Sequence, residues 1–492
     1  MVELGYQSLN IALVLSAFAA LLYFVHGHRM PVRYMKSADH ALFMASLLCT
    51  LAVSALLYAL FAHDFQIEYV AHYSNRSLPW YYLLTALWAG QAGSLLLWAW
   101  LLGLFSVLLI LRKNRYHQKL VPYTLGTISL ILFFFLFLLV FKSNPFYKLP
   151  FIPESGTGLN PLLQNPGMIF HPPSLYVGFV AYTVPFAFTV SALMKKSDGK
   201  QWLKSVRYWS LFAWCFLTIG NILGMQWAYV ELGWGGYWGW DPVENASLLP
   251  WLTGTAFLHS IVAQQRRDTL KTWTAALIVV TFTLTIFGTF VTRSGIISSV
   301  HAFGVSSLGP AFLIFMGVVL SGSVFLLLRR KNVLRGRAIQ TWSSKESAFL
   351  LTNLVFSVLA FAVLLGTLFP VITETLAARQ LTVGPSYYNR IAAVSGIVLF
   401  VVLGCCTLLP WGGTSAAALF RNSRIPAAFT LLALLLMLYA GIRHAGVLIS
   451  VMAGLFVLLV SFNKAVEVIL MRFKLKKRKS VSGLFSVIAQ CK

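Results

Sequence analysis

The chain has 492 residues, of which 58% are hydrophobic, 15% are aromatic and only 10% are charged, with a mean hydropathy of +0.77. A soluble domain cannot bury so much apolar surface, so this composition excludes a soluble fold and predicts a polytopic membrane protein. The net charge of +25 lies in short runs between apolar segments, a pattern that indicates membrane topology and no nucleic-acid partner.

The apolar segments predict an all-α polytopic membrane protein with about thirteen transmembrane helices. In chain order these lie near residues 9 to 25, 41 to 62, 93 to 111, 121 to 141, 175 to 194, 208 to 228, 246 to 264, 273 to 292, 309 to 328, 349 to 370, 391 to 410, 426 to 442 and 445 to 463. A shorter aromatic stretch, Trp80 to Trp88, is either a half-helix or an interfacial segment. Trp80, Trp88, Trp98 and Trp100 are most simply interpreted as an aromatic belt at the membrane surface.

The loops between these helices predict how the chain is oriented. Of the 38 Lys and Arg residues, 30 lie in one alternating set of loops, which the positive-inside rule places in the cytoplasm. The other set holds seven: Arg76, Lys142, Lys148, Arg293, Arg379, Arg390 and Arg443. The amino terminus, the long loop 142 to 174 and the loop 293 to 308 are therefore predicted to face outward.

The stretch Trp227 to Trp251, WAYVELGWGGYWGWDPVENASLLPW, is the most unusual part of the chain and lies on the predicted outer face. Its aromatic residues, Trp227, Trp234, Tyr237, Trp238 and Trp240, alternate with glycines, a pattern that suits a large, flat, apolar ligand such as a tetrapyrrole. The D-P-V-E sequence beginning at Asp241 is a capping-box pattern, and this structural role accounts for Asp241, Pro242 and Glu244 without any catalysis.

Three histidines are candidate ligands of a metal or a haem iron. His171, just ahead of a predicted helix whose first turn accommodates Pro172 and Pro173, and His301, just beyond the eighth helix, both lie at the predicted outer surface. Each is equally well interpreted as an ordinary interfacial histidine. His259 lies within the seventh predicted helix, about five residues from its cytoplasmic end, and is either a haem ligand or a histidine hydrogen-bonded between helices.

Several motifs together resemble the CcmF/NrfE type of cytochrome c haem lyase. Besides the tryptophan-rich stretch, which looks like the WWD signature of haem-handling proteins, they are GSLLLW at Gly93, NPGMIFHPPSLY, FLHS, GTFVTRSGIISSVHAF, and GPSYYNR at Gly384. The resemblance runs from near residue 1 to about residue 463. The sequence contains no nucleotide-binding P-loop and no hydrolase or metalloprotease motif.

The resemblance implies a multi-pass protein of the bacterial inner membrane. On the periplasmic side, such a protein receives haem from a membrane-anchored haem chaperone and attaches it to apocytochrome c through thioether bonds. The apocytochrome is delivered by thioredoxin-like and TPR-containing maturation subunits, and membrane lipid and a quinol are further candidate partners. The chemistry is one of positioning, so no catalytic acid, base or nucleophile is assigned.

The resemblance also implies the residues of the haem sites. His171 and His301 correspond to the ligands of the transferred haem iron, and Trp227, Trp234, Gly235, Gly236, Tyr237, Trp238, Trp240, Asp241 and Asn245 form its platform. His259 matches the first of two transmembrane histidines that hold a resident b-type haem.

The chain departs from the family pattern near its end. We expect a transmembrane helix bundle over residues 1 to 463, followed over residues 464 to 492 by a basic cytoplasmic run and the start of an incomplete further helix. Gln490 falls about where the family has its second transmembrane histidine, and glutamine is not an equivalent iron ligand, so the resident haem lacks that ligand here. Two alternatives to ligation stay open: a haem transporter that forms no covalent bond, and a truncated or split haem-binding subunit.

Overall fold

The computed structural model describes residues 1 to 26, 31 to 113, 116, 119 to 196, 201 to 233, 235 to 304 and 306 to 490. These residues form α-helices and no extended strand, apart from one isolated antiparallel bridge between Ile67 and Lys148. The helices, in chain order, are α1 (Val2–His26), α2 (Val32–Phe61), α3 (Glu68–Tyr73), α4 (Trp80–Ala89), α5 (Gln91–Leu111), α6 (Val121–Phe141), α7 (Gly167–Ala181), α8 (Thr183–Lys195), α9 (Gln201–Glu231), α10 (Pro242–Arg267), α11 (Lys271–Ser294), α12 (Gly309–Arg329), α13 (Lys345–Ala377), α14 (Pro385–Leu408), α15 (Ala416–Tyr439) and α16 (Ala445–Gln490).

Thirteen segments of the described chain are long and apolar enough to cross a membrane, with α7 and α8 counted together as one segment. A helix satisfies every backbone hydrogen bond within its own segment, which is why long apolar runs fold this way in lipid. The predicted fold class, an all-α multi-pass membrane protein, is confirmed. The stretch from Trp80 to Ala89 forms a helix of only ten residues, too short to span a bilayer.

One predicted helix start is wrong in a way that matters for function. The helix predicted to begin near residue 175 begins at Gly167, so His171 lies inside α7 rather than ahead of it. Helix α10, whose apolar segment was predicted from near residue 246, begins at Pro242 directly after its Asp241 cap, as the D-P-V-E pattern predicts. The first turn of α7 is largely apolar, but His171, Pro172, Pro173 and Ser174 separate it from the apolar run that follows, and hydropathy therefore placed the start too late.

The chain divides into two compact units. One comprises Met1–Gly336 and Ala360–Tyr388, and its largest fully buried side chains include Trp98 and Arg293. The other comprises Arg337–Leu359 and Asn389–Lys492 and has a small core of buried residues: Ala348, Val402, Cys406 and Leu409. Within this second unit α16 continues through the basic run without interruption to Gln490.

Candidate functional site

One end of the larger unit contains a cavity of about 340 Å³, a volume within the range of small-molecule sites. It lies between the end of α4, the start of α5, α7, the end of α9, the start of α10, the end of α11 and the loop that follows α11. The residues in its wall include His171, His301, Trp227, Trp238, Trp98, Trp88, Tyr176, Glu244 and Arg293. The structure therefore brings the two predicted ligands, His171 and His301, into a single cavity.

His171 is positioned by close packing of α7 on α9. Gly220 and Gly224 lie four residues apart, a spacing that puts two residues without side chains on one face of α9 and allows a neighbouring helix to approach. The imidazole of His171 lies against Gly224, where an added Cβ would come within 2.5 Å of its Cε1 atom. Its Nδ1 atom is 2.8 Å from the carbonyl oxygen of Gly220. Because a carbonyl only accepts, Nδ1 carries the proton, and in the neutral ring Nε2 carries the lone pair that a metal ion needs.

The two prolines after His171 lie inside α7, not in its first turn as predicted. A proline has no N–H, so Pro172 cannot bond the carbonyl four residues earlier, which is that of Met168. The indole Nε1 of Trp88 donates to this carbonyl at 3.0 Å. The short helix α4 is thereby joined to α7 one turn before His171.

His301 lies in the loop after α11, as predicted, and is held by the cap of α10. Its Nδ1 atom lies 3.0 Å from Oδ2 of Asp241, and the hydroxyl of Ser299 donates to the same oxygen at 2.5 Å. Nδ1–H donation to a carboxylate fixes the ring orientation and leaves Nε2 as the atom available to a metal, as carboxylates do for histidines that bind metals.

The capping box predicted at Asp241 is present. The Asp241 carboxylate accepts the N–H of Val243 at 3.0 Å, while the Glu244 carboxylate accepts the N–H groups of Asp241 at 3.1 Å and Gly239 at 2.9 Å. Asp241 thus caps α10 and orients His301 at once.

Burial raises the pKa of Asp241. The hydrogen bond to His301, the charge of that imidazole, and the hydrogen bonds from Ser299 and Val243 together lower it by more, so the pKa lies below the ordinary 3.8. Because the folded-state pKa is lowered, the ionised carboxylate stabilises the fold above that ordinary value. This contribution is lost only as the pH falls through the lowered pKa, in strong acid.

Trp227 contacts both histidines. This residue, in the last turns of α9, is only 7% exposed, and its indole stacks on the His171 ring with centroids 6.3 Å apart and planes at 14°. The His301 ring lies 5.4 Å from the same indole. The two imidazoles are therefore neighbours of one aromatic side chain, and both face a cavity with Trp238 in its wall.

The rest of the tryptophan-rich stretch supports the cavity from outside it. Trp240 adopts a φ of 59° and stacks on Tyr388 with centroids 5.0 Å apart. Asn245 is fully buried, and its amide donates to the Trp240 carbonyl at 3.1 Å and to Thr367 at 3.0 Å. Neither Trp240 nor Asn245 lines the cavity.

The remaining members of the predicted platform lie at the surface or outside the described residues. Tyr237 is 54% exposed and stacks on Tyr229. A Cβ added at Gly235 or Gly236 would meet nothing within 4 Å, so the backbone there is open to an approaching surface. Trp234 lies outside the described residues.

The aromatic-belt interpretation is wrong for Trp88 and Trp98. These side chains are 9% and 1% exposed and form part of the cavity wall, with Trp98 stacked between Phe135 and Phe179. Trp80, at 67% exposed, does lie at the surface. Hydropathy does not distinguish an indole at a lipid surface from one at a ligand surface, since both surfaces are apolar.

His259 lies far from this cavity. It is seventeen residues beyond Pro242 on α10, a rise of about 26 Å at ~1.5 Å per residue. The helix continues to Arg267, three residues further than predicted, so His259 is about 12 Å from that end. A single haem iron cannot be bound by His259 and by the cavity histidines together.

The side chains of the cavity suit an iron porphyrin. Two imidazoles are the donors that haem iron takes, the walls are mostly indole and phenyl rings, and the buried guanidinium of Arg293 supplies a positive charge for an acidic group. Among the described residues no cluster of three or more His, Cys, Asp or Glu side chains could hold a bare metal ion. The fold and the site together define a multi-pass membrane protein with a cavity lined by two imidazoles and by several aromatic rings.

Comparison with known proteins agrees with this class of protein and indicates its family. The cytochrome c assembly protein family matches residues 88 to 301. The cytochrome c-type biogenesis protein CcmF of Pseudomonas aeruginosa is 38% identical over 94% of this chain and 71% of its own length. CcmF of Escherichia coli is 38% identical over 88% of this chain and 66% of its own, and NrfE of Haemophilus influenzae is 36% identical over 82% and 64%.

A solved structure of the cytochrome c haem lyase CcmF superposes with a TM-score of 0.78 at 31% identity, covering 95% of this chain and 71% of that one. The chain belongs to the CcmF family of cytochrome c-type biogenesis proteins, and the predicted class of function, cytochrome c maturation, is confirmed. It spans about two thirds of the length of the relatives that it matches.

Proposed function

We propose that this chain is a haem lyase, which holds haem in the cavity between His171 and His301 while thioether bonds form with the cysteines of an apocytochrome c. The observation that carries this proposal is that both imidazoles face one aromatic cavity and contact the same indole, that of Trp227. Membership of the CcmF family supports it.

The residues of the chain would act by holding and orienting the haem substrate. In the ligation step a cysteine thiol adds across a vinyl group of the haem: a sulfur–carbon bond forms and the thiol hydrogen goes to the other vinyl carbon, without net oxidation. Two imidazoles would hold the iron, and the rings of Trp227 and Trp238 in the cavity wall would lie against the macrocycle. Such positioning is a large part of catalysis when two bound partners must meet.

The charge distribution supports a periplasmic site in a bacterial inner membrane. Helix α10 begins at the cavity and ends at Arg266 and Arg267, and α11 starts at Lys271 and returns to the cavity. The end away from the cavity is therefore the basic one, which the positive-inside rule places in the cytoplasm.

The partners follow from the proposed reaction. Haem would arrive from a haem chaperone, and the apocytochrome from thioredoxin-like and TPR-containing subunits. His259 would be one ligand of a resident b-type haem near the other membrane surface, with a quinol as its reductant.

Covalent haem attachment tests the proposal. When the membrane-embedded chain is supplied with haem and an apocytochrome c, we expect haem that stays with the cytochrome after denaturing electrophoresis. A His171→Ala/His301→Ala double variant should give none, while His40→Ala, at an exposed histidine of α2, should match the wild type. Haem that binds but never becomes covalent would favour the transporter, and full ligation by the double variant would contradict the assigned site.

Asp241 gives a second, finer test. Asparagine caps a helix as well as aspartate does, so Asp241→Asn should keep the melting temperature while removing the charge that orients His301. We expect haem affinity to fall about tenfold, as for other groups that orient metal ligands. Asp241→Ala should show the same loss and also destabilise α10 by about 1 kcal/mol. Equal haem affinity in Asp241→Asn and the wild type would show that the charge is not used.

A further inference from the structure

A buried arginine in the cavity wall is not explained by the arrangement of the two histidines. Arg293, near the end of α11, is 1% exposed and faces the cavity. Among the described residues it forms no ion pair with a carboxylate. A guanidinium removed from water without a counter-charge is costly, so such a residue is expected to have a role that repays the desolvation.

The guanidinium is held in place by hydroxyl groups. One Nη donates to Ser94 at 2.7 Å and to Tyr176 at 3.3 Å, and the other donates to Thr292 at 3.0 Å. The ring of Phe303 lies 5.3 Å from the guanidinium carbon. These groups are neutral, so they fix the side chain without neutralising its charge.

Two hydrogen-bond donors at this place have no acceptor. The Nε–H of Arg293 and the indole N–H of Trp98 are both buried without a hydrogen-bond partner in the described structure. Both side chains contact Tyr176, since the Trp98 and Tyr176 rings are 6.2 Å apart, and both line the cavity. An unsatisfied buried donor costs free energy, so a ligand that brings an acceptor here recovers it.

Glu244, the acidic side chain of the cavity wall, does not fill this role. Its carboxylate already accepts hydrogen bonds from the backbone N–H groups of Gly239 and Asp241, as part of the capping box of α10. A positive charge and a neutral donor, on two side chains that both contact Tyr176 and line the cavity, are thus left for an anionic ligand with at least two acceptor oxygens, which describes a carboxylate.

We propose that Arg293 and Trp98 bind a propionate carboxylate of the haem and thereby set which edge of the macrocycle points into the protein. This inference rests on the proposed haem site. With the propionate edge fixed at the start of α5 and the end of α11, rotation of the ring about the line joining the two imidazoles is restricted. The vinyl groups, on the opposite edge, are then presented to the incoming cysteines.

The test compares haem with its dimethyl ester, which has the same iron and vinyl groups but no carboxylate charge. Detergent-purified chain is titrated with each porphyrin, and the ratio of the two affinities is measured. We expect the wild type to prefer haem about tenfold or more, as for a hydrogen-bonded charge pair. Arg293→Gln should remove this preference, and Arg293→Lys should keep part of it. Trp98→Phe, which retains an aromatic ring but loses the N–H, should reduce the preference about threefold.

Arg379→Gln, the same substitution at an exposed position, is the control and should keep the wild-type ratio. If Arg293→Gln keeps the wild-type ratio of haem affinity to dimethyl ester affinity, the inference is overturned. This holds also when both affinities fall equally, because an equal fall indicates loss of packing and not loss of a carboxylate contact. If Arg293→Gln does not fold, an unchanged ratio in Trp98→Phe overturns it instead. Failure of the wild type to bind either porphyrin would overturn the proposed function itself.

Discussion

Replacing either cavity histidine with alanine should lower haem affinity by more than about a hundredfold, because each change removes an iron ligand and not merely a group that orients one. The bound haem should also change from a six-coordinate low-spin species to a five-coordinate high-spin one. Absorption spectra recorded during haem titration of wild type, His171→Ala and His301→Ala measure both effects. The two variants should fail alike, since the imidazoles face the same cavity.

Added imidazole provides the control for this experiment. Each substitution leaves a space of about the size of the lost ring, so millimolar imidazole should restore the low-spin spectrum in both variants. Restoration would show that the cavity itself is intact. A low-spin spectrum in either variant without imidazole would mean that the histidine is not a ligand.

Gly224→Ala should impair haem binding almost as much, although Gly224, in the cavity wall, supplies no iron ligand. The added Cβ would lie 2.5 Å from Cε1 and 2.9 Å from Nδ1 of His171, closer than real contacts allow. The imidazole must move, and its hydrogen bond to the Gly220 carbonyl is then lost. We expect haem affinity to fall ten- to a hundredfold, the range found when a metal ligand loses its orienting partner.

Gly317→Ala is the matched control, because its Cβ would meet nothing within 4 Å in the middle of α12. Alanine favours a helix by about 1 kcal/mol over glycine, so neither variant should lose helix content. Circular dichroism and haem titration of the two variants separate the local effect from a global one. Wild-type affinity in Gly224→Ala would show that the close packing of α7 on α9 does not position His171.

Local sequence patterns predicted those structural features that depend only on residues close together in the sequence. The D-P-V-E pattern predicted the capping box at Asp241, and hydropathy predicted the spans, since both features are set within a few residues. That His301 is held by Asp241 could not be predicted, because the two residues are 60 positions apart and only the packing of α10 and α11 brings them together.

The same reason explains the residues that sequence reasoning missed. The Gly220 and Gly224 spacing predicts a helix contact but not which helix makes it, so the link to His171 appears only in the fold. Arg293 was noted for its position outside the basic loops, yet its partner Ser94 is 199 residues away. Its burial and lack of a counter-charge are properties of the packed cavity and leave no mark in the sequence.

The most direct test of the haem site is a cryo-electron microscopy map of the haem-loaded chain. We predict the macrocycle in this cavity, with Nε2 of His171 and of His301 on opposite faces at the ~2 Å typical of metal–imidazole bonds, and with Trp227 and Trp238 beside its edge. A macrocycle bound elsewhere, or one in this cavity with either histidine beyond bonding distance of the iron, would contradict the assignment.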